Sequence, residues 1–398
     1  MKTMRIISFL ILISLVFSLA GCKKAYECTD EWGCATFEKG DTIKVGYVGP
    51  ITGDYASYGV DMSRGAELAV KAHPQVKGFD VELVAEDTQG TPEQGASVAN
   101  KLASDPQVVA VDGHSFSGST EVAIPIYGAK DVGIAMMSPS ATNIELTKLG
   151  SPVFNRVAFH DGMQGAFAGA YLYETLGVKK IAVMHDGGAY GQGLAELTRD
   201  AFKDAGGEVV AFEAITPGET DYSAPLAAIA DFEPELIYYG GYDSDAAVLV
   251  TQMVGAGLEG VLFFGCDGTY GANYLDLAGE AAEGTFSTYV PIPESDAFAT
   301  FRADYQAAYG DEQGKLSPFS PHSYDAMTIL INAVEKVAVE DGDNLVIPRK
   351  ALADQVRNTK DYVGLTGEIS CSDNGECAAA AIRFMQVKNG EWVLGPGQ

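Results

Sequence analysis

The chain has 398 residues, 47% of them hydrophobic, and a formal net charge of −28 at pH 7. This length suits two domains. The acidity, with no basic patch to meet phosphates, argues against a nucleic-acid partner.

The chain opens with an export signal. Lys2 and Arg5 form a basic start, and residues 6–20 form an apolar core too short for a comfortable membrane span. Leu19-Ala20-Gly21-Cys22 has the look of a lipobox. In proteins with that motif the Cys thiol carries a diacylglyceryl group, and cleavage leaves it as the mature N-terminus. Residues 1–21 are therefore expected to be a lipoprotein signal peptide, with Cys22 lipidated and the protein exported and held by lipid to the cell envelope. An ordinary secretory signal is the alternative, and it also places the protein outside the cytoplasm. Residues 22–40 then read as a tether.

Beyond the tether, strand and helix patterns alternate. Residues 43–48 read as a strand, 60–73 as a helix, 81–85 as a strand, and 92–103 as a helix with Pro92 in its first turn. Two apolar runs follow, at 108–111 and 132–137. Each opens into small polar residues, Gly113 to Thr120 and Ser138 to Thr142. A helix over 163–176, strands at 180–184 and 209–215, and a helix over 194–205 continue the alternation. Strands at 236–239 and 261–264 flank a helix over 246–256. Helices at 297–309, 323–339 and 348–357 then dominate, and the last 35 or so residues read as a β-hairpin turning at Cys371 and Cys377. Alternation of this kind implies an α/β fold with parallel sheets covered by helices on both faces.

The cysteines fit an oxidising compartment. Cys28 and Cys34 flank Thr-Asp-Glu-Trp-Gly, while Cys371 and Cys377 flank a turn containing Asp373-Asn374-Gly375. Two local disulfides are the simplest pairing. Crossed pairing between the two ends also satisfies the pattern. The gaps exceed the usual zinc-ligand spacing. Cys266, inside an apolar run, reads as a buried free thiol.

Catalytic signals are sparse. The 5 histidines show no metal-ligand spacing, and no metal or cofactor is expected. Glu196 stands where a dinucleotide fingerprint needs its last glycine. Gly113-His-Ser-Phe-Ser117 is a near miss for a nucleophile elbow. An esterase using Ser115 or Ser117 with His185 and Asp186 is the minor enzymatic alternative.

The loops after the strands offer a polar clamp instead. In open α/β sheets, ligands sit outside the carboxyl ends of strands. Ser115, Ser117 and Thr142 carry hydroxyls for an anion, and helix starts add backbone N–H donors. Asp267 can accept from an ammonium. Tyr58, Tyr190 and Tyr242 can cover a side chain. A zwitterionic amino acid satisfies all three.

From about residue 41 to the C-terminus the chain resembles the type I periplasmic binding proteins, in particular the leucine/isoleucine/valine-binding proteins that feed ABC importers. The resemblance rests on Ile43-Lys-Val-Gly-Tyr-Val-Gly-Pro-Ile-Thr-Gly53 with Tyr58-Gly59, on Gly113-His114 with Ser117-Gly-Ser-Thr120, and on Ser138-Pro-Ser-Ala-Thr142. His185-Asp186 with Tyr190-Gly-Gln-Gly193, and Tyr238-Tyr-Gly-Gly-Tyr242, complete it. It implies that Ser117 binds the ligand carboxylate and that Thr142 touches both carboxylate and ammonium. It puts Ser140 where the family uses a backbone group, and Tyr242 and Asp267 at the ammonium from the second lobe. Tyr58, Tyr190 and Phe319 fall on side-chain-pocket positions. Two departures stand out. Asp267 replaces a longer Glu, and Phe116 replaces a Cys.

The resemblance further implies two doubly wound lobes joined by three hinge crossings. Lobe one takes residues 41–159 and 290–363, and lobe two takes 160–289 and 364–398. The crossings fall near residues 158–161, 288–291 and 363–366. The implied activity is non-enzymatic. An amino acid, branched-chain or otherwise aliphatic, closes the lobes and is delivered to an ABC permease and ATPase. A sensory subunit of the same fold, presenting its ligand to a signalling partner, is the alternative.

Overall fold

The computed structural model describes residues 26–378 and 381–398. The leader, the lipobox and the lipidation expected at Cys22 lie outside them. No helix among the described residues is long and apolar enough to cross a membrane.

The first part of the chain supplies β1 (Cys34–Phe37), β2 (Ile43–Gly49), β3 (Gln75–Val76), β4 (Phe79–Asp87), β5 (Val108–Gly113), β6 (Ala135–Ser138) and β7 (Phe154–Arg156). The last six form one sheet in the order β3-β4-β2-β5-β6-β7, parallel except at β3. Helices α1 (Ala56–Ala72), α2 (Pro92–Ala103) and α3 (Ser117–Tyr127) connect the strands. β5 reads Val-Val-Ala-Val-Asp-Gly and is buried at every position, as a strand covered on both faces must be. α2 starts cleanly because the Thr91 hydroxyl accepts from the Gln94 N–H at 3.3 Å and Pro92 needs no N–H partner.

The chain then crosses into α4 (Asp161–Ala170) and builds β8 (Lys180–His185), α5 (Ala189–Asp204), β9 (Glu208–Ala214), β10 (Leu236–Gly240), α6 (Asp243–Met253), β11 (Leu262–Gly265) and β12 (Phe286–Tyr289). Alternate residues of β10 face opposite ways. Ile237 and Tyr239 join one hydrophobic cluster, and Leu236 and Tyr238 join another.

The chain returns through α7 (Asp296–Tyr309), α8 (Ser320–Val337), β13 (Val339–Asp341), β14 (Asn344–Pro348), β15 (Tyr362–Gly364) and β16 (Gly367–Ile369), and ends in β17 (Arg383–Lys388) and β18 (Glu391–Leu394). The second sheet runs β18-β17-β12-β11-β10-β8-β9. α8 lies close against α1. A Cβ at Gly65 would come within 2.1 Å of the Ser320 carbonyl oxygen.

Three local features differ from the sequence reading. The segment taken as a tether ends in structure, since β1 pairs antiparallel with β14, beside β13, with Phe37 fully buried. An apolar strand at 344–348 needs an edge partner, and Ala35 and Phe37 supply the facing apolar pair. The third crossing is not at residues 363–366. Leu365 and Thr366 donate their N–H groups to Asp325 of α8, each at 2.8 Å. Residues 371–378 dock on β7, where the Arg156 N–H meets the Gly375 carbonyl at 3.0 Å and the Cys377 N–H meets the Arg156 carbonyl at 3.1 Å. The chain therefore stays with the first sheet to residue 378 and reaches the second only at β17. The final hairpin turns at Asn389-Gly390, both with positive φ, as a tight hairpin turn prefers. The Cys371–Cys377 loop is separate from that turn.

The cysteines form the two local disulfides, Cys28–Cys34 and Cys371–Cys377, and Cys266 is a buried thiol.

Candidate functional site

Both sheets aim the carboxyl ends of their strands at one cleft. From the first sheet, β5 leads to Ser117 at the start of α3, with Phe116 extended at the N-cap. β6 leads to Ser140 and Thr142. The two loops are laced together. The Ser138 hydroxyl donates to the His114 carbonyl at 2.7 Å, and the Ser140 hydroxyl donates to the Ser115 carbonyl at 2.7 Å. The Asn143 N–H donates to the Ser117 hydroxyl at 3.3 Å. The Thr142 hydroxyl is buried and has no hydrogen-bond partner among the described residues.

Arg156 holds the second loop from behind. Its Nη1 donates to the carbonyls of Ala141 and Asn143, on either side of Thr142, at 3.0 and 2.8 Å. The fully buried guanidinium is balanced by Glu376, which accepts from Nε at 2.7 Å and Nη2 at 2.5 Å. A residue near the C-terminus thus fixes a loop at the mouth of the first sheet.

From the second sheet come Tyr190 in the first turn of α5, Tyr242 at the start of α6, and Asp267 after β11. Asp267 is buried. It accepts from the Tyr190 hydroxyl and, at 2.8 Å, from Gln164 Nε2. Burial raises its pKa, and these two donors pull it back. Asp161, in the first turn of α4, is also fully buried, and neither of its oxygens has a hydrogen-bond partner among the described residues. Burial pushes its carboxyl up to about 8, and the nearby Asp267 charge adds to the rise. Burial also lifts Asp186 and Asp243 to about 6. A cation bound among these acids would favour their ionised form and offset the cost of burial.

Across the cleft, the Tyr58 hydroxyl donates to the Gly268 carbonyl at 2.6 Å. Asn143 Nδ2 donates to the Ala189 carbonyl. Phe116 stacks on Tyr242, and Tyr55 touches both rings. What remains is a cavity of about 20 Å³ lined by Tyr58, Phe116, Ser117, Ser140, Tyr190, Tyr242, Asp267, Gly268 and Phe319. Seven of the eight residues read from the sequence thus share one cavity wall. Thr142 is the eighth and does not line the cavity; its carbonyl accepts from the Asp161 N–H at 2.9 Å.

Two contributors were not read from the sequence. Residue 161 enters the sequence reading only as the end of the first crossing, just before the helix read over 163–176, and Tyr55 does not enter it at all; the structure places Asp161 in the first turn of α4. The esterase constellation is not assembled. His185 Nδ1 accepts from the Gly187 N–H at 3.1 Å and its ring packs on Phe212, while the Ser117 hydroxyl is engaged by Asn143. No hydrogen bond joins base to nucleophile among the described residues.

A family model described as periplasmic binding protein matches residues 42–391. The chain is 34% identical over 309 residues to the leucine-, isoleucine-, valine-, threonine-, and alanine-binding protein of Pseudomonas aeruginosa, spanning 77% of this chain and 81% of that one. It is 35% identical over 314 residues to the leucine-specific-binding protein of Salmonella typhimurium, spanning 78% and 84%. Among solved structures, a leucine binding protein from Thermotoga maritima superposes with a TM-score of 0.79 at 28% identity, covering 89% of this chain and 98% of that one. A branched-chain amino acid transporter substrate binding protein from Streptococcus pneumoniae, in complex with isoleucine, gives 0.76 at 28% identity, covering 88% and 98%. The chain belongs to the periplasmic binding protein family.

Proposed function

We propose that the protein captures an aliphatic L-amino acid between its lobes and delivers it to an ABC importer. It works outside the cytoplasm, and on this reading Cys22 carries the lipid that keeps it at the membrane, close to a permease and ATPase.

The observation that carries the reading is the polarity of the cleft. Hydroxyls and helix-start N–H groups converge from one lobe, and buried carboxylates converge from the other. Ser117, Ser140 and Thr142 are suited to the ligand carboxylate. Asp267 and Asp161 are suited to its ammonium, and the Thr142 hydroxyl, beside Asp161, can serve either end. Tyr58, Tyr190, Tyr242 and Phe319 wall the side chain. The named ligands of the relatives, branched-chain amino acids with threonine and alanine, fit this class.

Closure follows from the same geometry. Lobe one takes residues 41–159 and about 290–378, and lobe two takes 160–289 and the C-terminal hairpin. The Tyr58–Gly268 and Asn143–Ala189 hydrogen bonds form only when the lobes meet. A ligand that binds both lobes favours that state by its differential affinity.

Thermal unfolding tests the reading. The purified protein, unfolded and refolded to strip carried ligand, is scanned with each of the twenty L-amino acids. A ligand at 100-fold its dissociation constant stabilises by ~2.7 kcal/mol. A shift with aliphatic amino acids is expected, and no shift with any of the twenty would contradict it.

A further inference from the structure

The ligand's two charged ends fix where its side chain must go. With the carboxylate at Ser117 and the ammonium at Asp267, the side chain points toward the aromatic walls. Those walls already meet. Phe116 lies on Tyr242 at 4.4 Å between ring centroids and 13° from parallel, a stacked contact that leaves no gap for an aliphatic chain. Tyr58 meets both rings edge-on at 6.0 and 5.9 Å, and its hydroxyl is tied to the Gly268 carbonyl.

Phe116 has little room to retreat. Tyr55 stands beside it at 5.5 Å, and Tyr55 is itself pressed on Gly90, where even a Cβ would come within 2.6 Å of the ring. The free space of about 20 Å³ is close to that of one water molecule. A ligand main chain is accommodated by a small parting of the lobes, which loosens the Phe116–Tyr242 stack. A branched side chain requires the two rings to move further apart, by the width of that chain.

We infer that the site selects amino acids with the smallest side chains, glycine and alanine, and that Phe116 sets the size limit. The inference rests on the amino-acid reading of the site. Phe116 acts by occupying the volume that a larger side chain would fill, and Tyr242 holds it there from the opposite lobe.

The test is calorimetric titration of the stripped protein with each of the twenty amino acids, glycine, alanine, valine and leucine compared first, repeated on Phe116→Ala and on the milder Phe116→Leu. Glycine or alanine is expected to bind the wild type at least tenfold more tightly than leucine. In both variants the leucine-to-alanine affinity ratio is expected to move toward leucine by tenfold or more. Wild-type preference for leucine or valine over alanine would overturn the inference and leave the amino-acid reading intact. So would a ratio unmoved in Phe116→Leu. Failure of all twenty amino acids to bind the wild type and both variants would overturn the amino-acid reading itself, and the inference with it.

Discussion

Phe116 from the first lobe lies flat on Tyr242 from the second, with ring centroids 4.4 Å apart. The pair joins the lobes at the place where a ligand side chain would otherwise sit. The same cleft carries polar hydroxyls on one wall and buried acids on the other, so on the proposed reading size and charge are selected by different residues.

Asp267 is the acid best placed for an ammonium, held by Tyr190 and Gln164. Asp267→Ala leaves that ammonium buried and unpaired. Amino-acid binding should weaken by more than ~1.5 kcal/mol. Calorimetric titration checks this, and an unchanged affinity would remove Asp267 from the site.

Asp161 makes stability depend on pH. Its carboxyl is raised to about 8 in the folded protein, from an ordinary 3.8. Between these values the folded state holds a proton that the unfolded state has released. Its contribution to the ligand-free protein's stability is therefore full below about pH 4 and is lost as pH rises toward about 8. Asp161→Asn removes the titration. Urea unfolding at about pH 5 and about pH 8 should show a smaller loss of stability at the higher pH in the variant than in the wild type. Equal losses would mean that Asp161 does not titrate in this window.

Much of the fold was legible before the structure. Strands such as Val108–Gly113 are buried on both faces and read as unbroken apolar runs. Small polar residues after those runs marked the strand ends, and the cleft follows from them. The third crossing was not legible. Its loop, Ser372 to Glu376, is short and polar, and what fixes its place is Glu376 meeting the buried Arg156, a pairing 220 positions apart in the chain. Residues 34–37 were hidden for a similar reason, because a short edge strand is defined by its partner, here β14. Asp161 carried no distinguishing mark, since it fell at a crossing just ahead of the helix read over 163–176, and an acid near a helix start is favourable on its own account. Its burial is a tertiary fact.

Glu376→Ala tests the long-range pair. It strands the Arg156 guanidinium inside the protein and frees the loop on either side of Thr142. Loss of one partner of a buried pair costs ~3 kcal/mol or more. Part of the Glu376 side chain is exposed, so the low end is expected. Unfolding temperature should fall and amino-acid affinity should fall with it. A lowered unfolding temperature with unchanged affinity would mean that Arg156 holds the fold without shaping the site.

Tyr58→Phe deletes one hydroxyl and leaves the ring. It removes the bond to the Gly268 carbonyl across the cleft. The closed state should lose ~1 kcal/mol, read as roughly a fivefold weaker affinity with the same order of preference among amino acids. A change in that order instead would make Tyr58 a selector of side chains.

The most direct measurement of the central claim is titration calorimetry of alanine into the stripped wild-type protein, followed by Asp267→Ala under the same conditions. The account predicts saturable binding of one alanine per chain, weakened in the variant. No heat from alanine or from any of the other nineteen amino acids would contradict it.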